Sequence, residues 1–199
     1  MEGRILLVCT ANVCRSVHAA AVIRAVLGRE SASHLMRSAQ VPGPTEPIEV
    51  VSAGTHTQNG WAACAEVVAR SGGRTDVVSH ASRQLSANDV ASATVIFTAE
   101  AEHRARAVSL VPDAAARTFT LREAAALGTL VDLRQRTGSL ADYAAALDHN
   151  RGLTDPILDI ADGHGRTTRR HRRALDEIEA AATTVAAGIL AWRTPGSDA

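Results

Sequence analysis

The sequence contains no lysine, and aromatic residues make up only 3% of it. All 21 basic residues are therefore arginine. Mechanisms that depend on a lysine side chain are excluded by this composition, among them a Walker A phosphate loop and a Schiff base.

Cysteines and long apolar runs are also scarce. The sequence has three cysteines, and its first apolar run, Ile5–Val8, is too short for a signal-peptide core. No stretch is long enough to span a bilayer. We therefore expect a cytoplasmic protein with no membrane contact, in which the cysteines are free thiols. With 21% charged residues and a net charge of zero, it is not expected to bind nucleic acid. We expect a monomer or weak homodimer, with no cofactor and no metal ion.

Short apolar runs alternate with helical patterns along the chain. The predicted strands are 4–8, 48–52, 93–98 and 117–121. The predicted helices are 18–27, which Gly28 is expected to end, 61–70, 100–110, 140–147 and 167–192. This alternation predicts an α/β fold over residues 1–193, a single doubly wound domain with a four-stranded parallel sheet flanked by helices. Residues 194–199 are expected to form a disordered tail.

The segment Cys9–Ser16 places a thiol, five residues, an arginine and a hydroxyl between the first strand and the first helix. Backbone N–H groups of such a loop and the positive end of the helix bind phosphate. The same field favours the thiolate of Cys9, a nucleophile that needs no general base. Arg15 offers a planar pair of donors to phosphate oxygens. The predicted phosphate-binding residues are Thr10, Ala11, Asn12, Val13, Cys14 and Ser16.

Residues Val8–Ser16 resemble the V-C-x5-R-S opening of the low-molecular-weight protein tyrosine phosphatases. Two later segments resemble that family as well: Ser52–Thr55 is similar to its S-A-G-T turn, and His80–Leu85 to its H-x-A-R-x-L segment. The resemblance extends over roughly the whole chain. It implies hydrolysis of phosphate monoesters through a phosphocysteine intermediate, with Cys9 and Arg15 as catalytic residues and an aspartate near the C-terminus as general acid.

Two aspartates are candidates for the general acid. Asp155 precedes Pro156 and forms the only Asp-Pro pair in the chain. Asp162 lies in Asp159–Arg166, which resembles the family's D-I-x-D-P-x-G-R pattern with Gly163 in place of proline. Its distance from the last helix favours Asp162, although the glycine is expected to make the turn less rigid.

The residues after Thr55 lack the family's aromatic pocket wall. The substrate is therefore predicted to be a phosphorylated protein or a small-molecule phosphate ester, with phosphoarginine as an alternative. Arsenate reductases have a similar loop but need a relay of cysteines, and Cys64 lies in a predicted helix with no cysteine near it in sequence. A weakly catalytic phosphate-binding module is the third alternative. For Cys14, a reversible disulfide with Cys9 and simple packing in the loop are both open.

Overall fold

The computed structural model describes residues 3–37, 47–132, 138–153 and 158–193, with only the backbone described for 29–37. Its strands are β1 (Arg4–Cys9), β2 (Glu49–Gly54), β3 (Val95–Thr98) and β4 (Thr118–Thr120). They form an all-parallel sheet in the order β2-β1-β3-β4. The predicted doubly wound sheet is confirmed. Strand β4 is shorter than expected because the Thr120 hydroxyl accepts a hydrogen bond from the Glu123 amide and caps the next helix.

The described residues contain eight α-helices. These are α1 (Arg15–Arg37), α2 (Ala65–Arg70), α3 (Thr75–Val78), α4 (Ala87–Ser92), α5 (Ala101–Leu110), α6 (Leu121–Gly128), α7 (Leu140–His149) and α8 (Thr168–Arg193). The prediction that Gly28 ends the first helix is wrong, since α1 continues through it. One interior glycine costs about 1 kcal/mol relative to alanine, which the good helix formers Arg29 and Glu30 beside it help to offset. Helices α3, α4 and α6 were not predicted.

Strand β1 is buried on both faces, as its unbroken apolar sequence predicts. Ile5 and Leu7 belong to the large core that α1, α6, α7 and α8 cover. Leu6 and Val8 face the opposite side and pack in a smaller core with α4 and α5. The last helix buries an apolar stripe that includes Leu175, Ile178, Ala182, Val185 and Ile189.

The direction of winding reverses at β1, because β2 lies on one side of it and β3 on the other. In open parallel sheets a ligand binds outside the carboxyl ends of the strands at such a reversal. Cys9, the last residue of β1, lies at this edge. None of the helices in the described residues is long and apolar enough to cross a membrane.

Candidate active site

The loop between β1 and α1 places the predicted nucleophile beside the start of a helix. Cys9 and Arg15 are both only 3% exposed. The Sγ atom of Cys9 and the Oγ atom of Ser16 are hydrogen-bonded at 3.1 Å. Of the other predicted loop residues, Thr10 and Ala11 are half-buried, whereas Val13 and Cys14 are buried. The structure therefore brings the thiol, the hydroxyl and the end of α1 together as the sequence predicts.

Asn12 holds the shape of this loop. It is fully buried and has a φ of 53°, a left-handed conformation that asparagine tolerates better than most residues. Its amide nitrogen donates to the hydroxyls of Ser16 at 3.0 Å and Ser52 at 2.9 Å, and its side-chain oxygen accepts from the Arg83 amide at 3.0 Å. Asn12 therefore fixes the loop through one partner in the adjoining helix and two partners in other segments.

Two further segments brace the loop from outside. The amides of Thr55 and His56 donate to the carbonyls of Cys9 and Thr10, each at 2.9 Å. At Gly54 the backbone approaches so closely that an added Cβ would lie 2.6 Å from the Thr10 carbonyl oxygen. This contact explains why the S-A-G-T turn needs its glycine.

The second bracing segment begins at His80. Its ring Nε2 donates to the Asn12 carbonyl at 2.7 Å. Burial lowers the pKa of His80, so the ring is neutral at pH 7. Arg83 and Leu85 continue the segment along Gly54: the Gly54 amide donates to the Arg83 carbonyl at 2.9 Å, and the Leu85 amide donates to the Gly54 carbonyl at 2.7 Å.

The guanidinium of Arg15 is held by carboxylates from two other segments. One terminal nitrogen lies 2.9 Å from Glu100 Oε2 and donates to the Ile160 carbonyl at 2.9 Å. The other lies 2.9 Å from Asp162 Oδ2 and donates to the Thr10 hydroxyl at 3.0 Å. Arg15 therefore connects the loop after β1, the end of β3 and the segment before α8.

Glu100 and His103 were not identified from the sequence as part of the site. The ring Nδ1 of His103 accepts from the Glu100 amide at 3.1 Å, so Nε2 carries the proton and donates to the Thr10 hydroxyl at 3.0 Å. Burial, followed by the charge of Arg15, lowers the pKa of His103 to about 4. The neutral ring thus fixes Thr10, which in turn contacts Arg15.

The segment 158–166 carries Asp162 to the mouth of the site. Its fully buried Ile160 donates its amide to the Ala99 carbonyl at 2.9 Å, and Asp159 accepts from the Ala101 amide at 2.7 Å. The Asp162 side chain is 43% exposed, and its Oδ1 accepts from the His164 amide at 2.9 Å. Asp155, the other candidate acid, lies outside the described residues.

Gly163 is close to the start of α8. An added Cβ would lie 2.5 Å from the His171 Cα and 2.9 Å from the Arg170 carbonyl oxygen. We had expected this glycine to loosen the turn. The structure gives it another role, because the absence of a side chain lets the segment that carries Asp162 pack directly on the helix.

We expect Gly163→Ala to destabilise the protein by about 1–3 kcal/mol and to lower kcat, because the added methyl group must push Asp162 away from α8. The measurements are the free energy of unfolding in urea and kcat. Gly152→Ala is the matched control, since an added Cβ there has nothing within 4 Å. Equal stability and kcat for the two variants would contradict this account of the packing.

Cys14 is buried in a small apolar cluster and also contacts polar side chains. Its Sγ lies 3.2 Å from His164 Nδ1 and within 4.8 Å of the Cys64 Sγ. The interaction with Cys64, followed by burial, raises the pKa of Cys14, and the interaction with Cys14 lowers the pKa of Cys64 to about 7. The prediction that Cys64 lies within a helix is wrong: it is the residue before α2. Although Cys64 is remote from Cys14 in sequence, the two thiols lie close together in space. The reversible disulfide between Cys9 and Cys14 remains a prediction.

An open groove of about 540 Å³ lies beside the loop that follows β2. His56 and Gln58 line it, with Arg106 from α5. Trp61 also lines the groove and is 48% exposed. One aromatic surface is therefore present, although the sequence had suggested that the family's aromatic wall is missing.

Together, the sheet, the loop after β1 and its arginine define a cysteine-dependent phosphatase. A family model, "Low molecular weight phosphotyrosine protein phosphatase", matches residues 4–132. A protein-arginine-phosphatase from Geobacillus stearothermophilus is 32% identical over 162 residues, which cover 80% of this chain and 96% of the relative. The chain belongs to the low-molecular-weight phosphotyrosine protein phosphatase family.

Solved structures agree with this fold. The YwlE arginine phosphatase from Geobacillus stearothermophilus has a TM-score of 0.60 and 29% identity, covering 93% of this chain and 91% of that one. The tyrosine phosphatase AmsI from Erwinia amylovora has a TM-score of 0.61 and 19% identity over 93% and 91% of the two chains. At that identity the second match concerns the fold alone.

Proposed function

We propose that this phosphatase acts on phosphorylated protein side chains, with Cys9 as nucleophile, Arg15 as phosphate ligand and Asp162 as general acid. One observation carries the proposal. Arg15 follows a thiol-bearing loop at the start of α1, and Asp162 lies 2.9 Å from its guanidinium. Nucleophile, cation and acid thus converge on one side of the loop.

In the first step the phosphate dianion binds to the loop amides and the N-terminus of α1. Its oxygens take the place of Asp162 on one nitrogen of Arg15, while Glu100 stays on the other. The thiolate of Cys9 attacks phosphorus, an S–P bond forms, and the bond to the leaving group breaks. Asp162, released from Arg15, takes up a proton from solvent and gives it to the leaving atom.

In the second step water hydrolyses the phosphocysteine. The Asp162 carboxylate now accepts a proton from the attacking water, and the S–P electron pair returns to Cys9 as thiolate. The Ser16 hydroxyl, 3.1 Å from Sγ, donates a hydrogen bond to that thiolate. Inorganic phosphate leaves, Asp162 returns its proton to solvent, and the carboxylate pairs with Arg15 again.

A tyrosine side chain is one substrate group that the groove suits. Trp61 offers an exposed aromatic surface beside the loop, and Arg106 attracts acidic residues of a phosphopeptide. These contacts support a protein substrate rather than a small ester that would leave the groove empty.

Phosphoarginine is the second candidate substrate. The relative at 32% identity is a protein-arginine-phosphatase, and the carboxylates of Glu100 and Asp162 lie near the loop, where they can pair with the guanidinium of such a substrate. Cleavage then breaks a P–N bond, and Asp162 protonates the departing nitrogen.

The test compares kcat/KM for a phosphotyrosyl peptide, a phosphoarginyl peptide and small phosphate esters. We expect the phosphoarginyl peptide to be hydrolysed at least as efficiently as the phosphotyrosyl peptide, because a single aromatic side chain gives weak selection for the phenyl ring. Both peptides should be hydrolysed more efficiently than the small esters, which leave the groove empty. A preference for a small ester over both peptides would contradict a protein substrate. Incubation with arsenate and a thiol is the control, and arsenite formation would instead indicate a reductase. The oligomeric state, a monomer or weak homodimer, and the cytoplasmic location remain predictions.

A further inference from the structure

Four metal-ligating side chains converge beside the phosphate-binding loop. Cys14, Cys64, His164 and His171 place their ligand atoms within 4.8 Å of one another. Cys14 Sγ lies 3.2 Å from His164 Nδ1, and Cys64 Sγ lies 3.7 Å from His171 Nε2. The two imidazole rings meet edge to face, with their centroids 5.8 Å apart.

These ligands come from four separate parts of the chain. Cys14 belongs to the loop after β1, Cys64 precedes α2, His164 follows Asp162, and His171 lies in the first turn of α8. Their sequence separation explains why spacing patterns did not indicate a metal site. Tertiary packing alone assembles the cluster.

The donor set suits zinc. Two thiolates and two imidazoles form the Cys2His2 set, whose bonds of about 2.0–2.3 Å put the ligand atoms of a tetrahedron roughly 3.3–3.8 Å apart. The distances from Cys14 Sγ to His164 Nδ1 and from Cys64 Sγ to His171 Nε2 already lie close to that range. Cys14 is buried, while His164 is exposed, so the cluster is closed on its inner side and open to solvent on the other.

Gly163 provides independent support for a built site. It separates Asp162 from His164, and the lack of a Cβ lets this segment approach the backbone of His171. Any side chain at Gly163 would force the two histidines apart. The glycine therefore keeps both imidazoles on the same side as the two thiols.

We propose that Cys14, Cys64, His164 and His171 bind one Zn²⁺ ion in a tetrahedral structural site, distinct from Cys9. Binding releases the two thiol protons and leaves a neutral ZnS2N2 centre. The ion links the phosphate-binding loop to the acid segment, to α2 and to α8. It thereby anchors Asp162, two residues from a ligand, near Arg15.

The experiment uses the full-length Cys9→Ser protein in a non-coordinating reductant, so that zinc cannot bind the catalytic thiol and Cys14 and Cys64 stay reduced. Zinc affinity is measured by competition with a chromophoric chelator, and Co²⁺ serves as a spectroscopic probe. We expect one Zn²⁺ per chain, a raised thermal midpoint, and cobalt spectra with thiolate charge-transfer and tetrahedral d–d bands.

Two substitutions outside the catalytic loop test the ligands. In the Cys9→Ser background, Cys64→Ser and His171→Ala are each expected to weaken zinc binding by about a hundredfold or more, because each removes one of four ligands. His149→Ala, which changes an exposed histidine on α7, is the matched control and should bind zinc unchanged.

Loss of zinc binding in the Cys9→Ser protein itself would overturn the proposal, because the ion would then belong to the catalytic thiol. Unchanged affinity in both ligand variants, or octahedral cobalt spectra without sulfur bands, would overturn it as well. Since the protein tested carries no nucleophile, none of these outcomes depends on the phosphatase mechanism.

Discussion

Replacing Cys9 with serine is expected to leave a folded protein whose phosphatase kcat has fallen on the order of 10⁴-fold or more. In the proposed mechanism the nucleophile is a thiolate, which attacks phosphorus without a base. A serine hydroxyl keeps its proton at neutral pH, and the hydrogen-bond partner of this side chain is the Ser16 hydroxyl, a poor general base. The nucleophile is therefore lost while the phosphate-binding loop remains.

Two measurements check this expectation. Steady-state turnover of p-nitrophenyl phosphate gives the loss of kcat, and circular dichroism with thermal unfolding shows that the variant is folded. Acid quenching of the wild-type enzyme during turnover should trap one phosphoryl group on the peptide that contains Cys9. Turnover by Cys9→Ser above about one hundredth of the wild-type value would contradict a covalent mechanism through this residue.

Local sequence signals predicted the loop and the sheet well. Cys9, Arg15 and Ser16 lie within one short segment, so their chemistry is visible as a contiguous pattern between a strand and a helix. Strand β1 was predicted correctly because complete burial requires an unbroken apolar run. Helix α1 was misjudged at Gly28, because one interior glycine costs only about 1 kcal/mol and the good helix formers that follow it help to offset that cost.

The supporting contacts of the site could not be predicted in the same way. Glu100 and His103 reach Arg15 and Thr10 from the end of β3, a neighbour of β1 in space but far away in sequence. The partners of Asn12 show the same limit. Its side chain reaches Ser52 and Arg83, which are both remote in sequence. Such contacts depend on which strands are neighbours in the sheet. The sequence predicts the class of fold but not this strand order.

The two later segments that resemble the family, Ser52–Thr55 and His80–Leu85, both support the phosphate-binding loop. The glycine of Ser52–Thr55 and the imidazole of His80 both press on the backbone of the phosphate-binding loop. Neither segment carries a predicted catalytic group. They hold the loop amides in place, which is the form of preorganisation that charge stabilisation in phosphoryl transfer requires.

Asp162→Asn is expected to lower kcat by about a hundredfold for substrates with poor leaving groups, because an amide cannot donate the proton that the leaving oxygen needs. With p-nitrophenolate, which leaves readily without a proton, the loss in the first step should be much smaller. The ratio of kcat between phenyl phosphate and p-nitrophenyl phosphate is therefore the diagnostic measurement. Asp113→Asn, at an exposed carboxylate on the turn before β4, is the matched control and should leave this ratio unchanged.

Geometry supports Asp162 through three contacts of its segment. Ile160 anchors the segment beneath Arg15, Gly163 packs it on α8, and the His164 amide fixes one carboxylate oxygen so that the other faces Arg15. An acid held this way is already beside the bound phosphate when the leaving group departs. Asp155→Asn is the decisive comparison, because its Asp-Pro sequence is the competing motif. A larger loss of kcat from Asp155→Asn than from Asp162→Asn would transfer the role to Asp155, and equal small losses would contradict general acid catalysis by either residue.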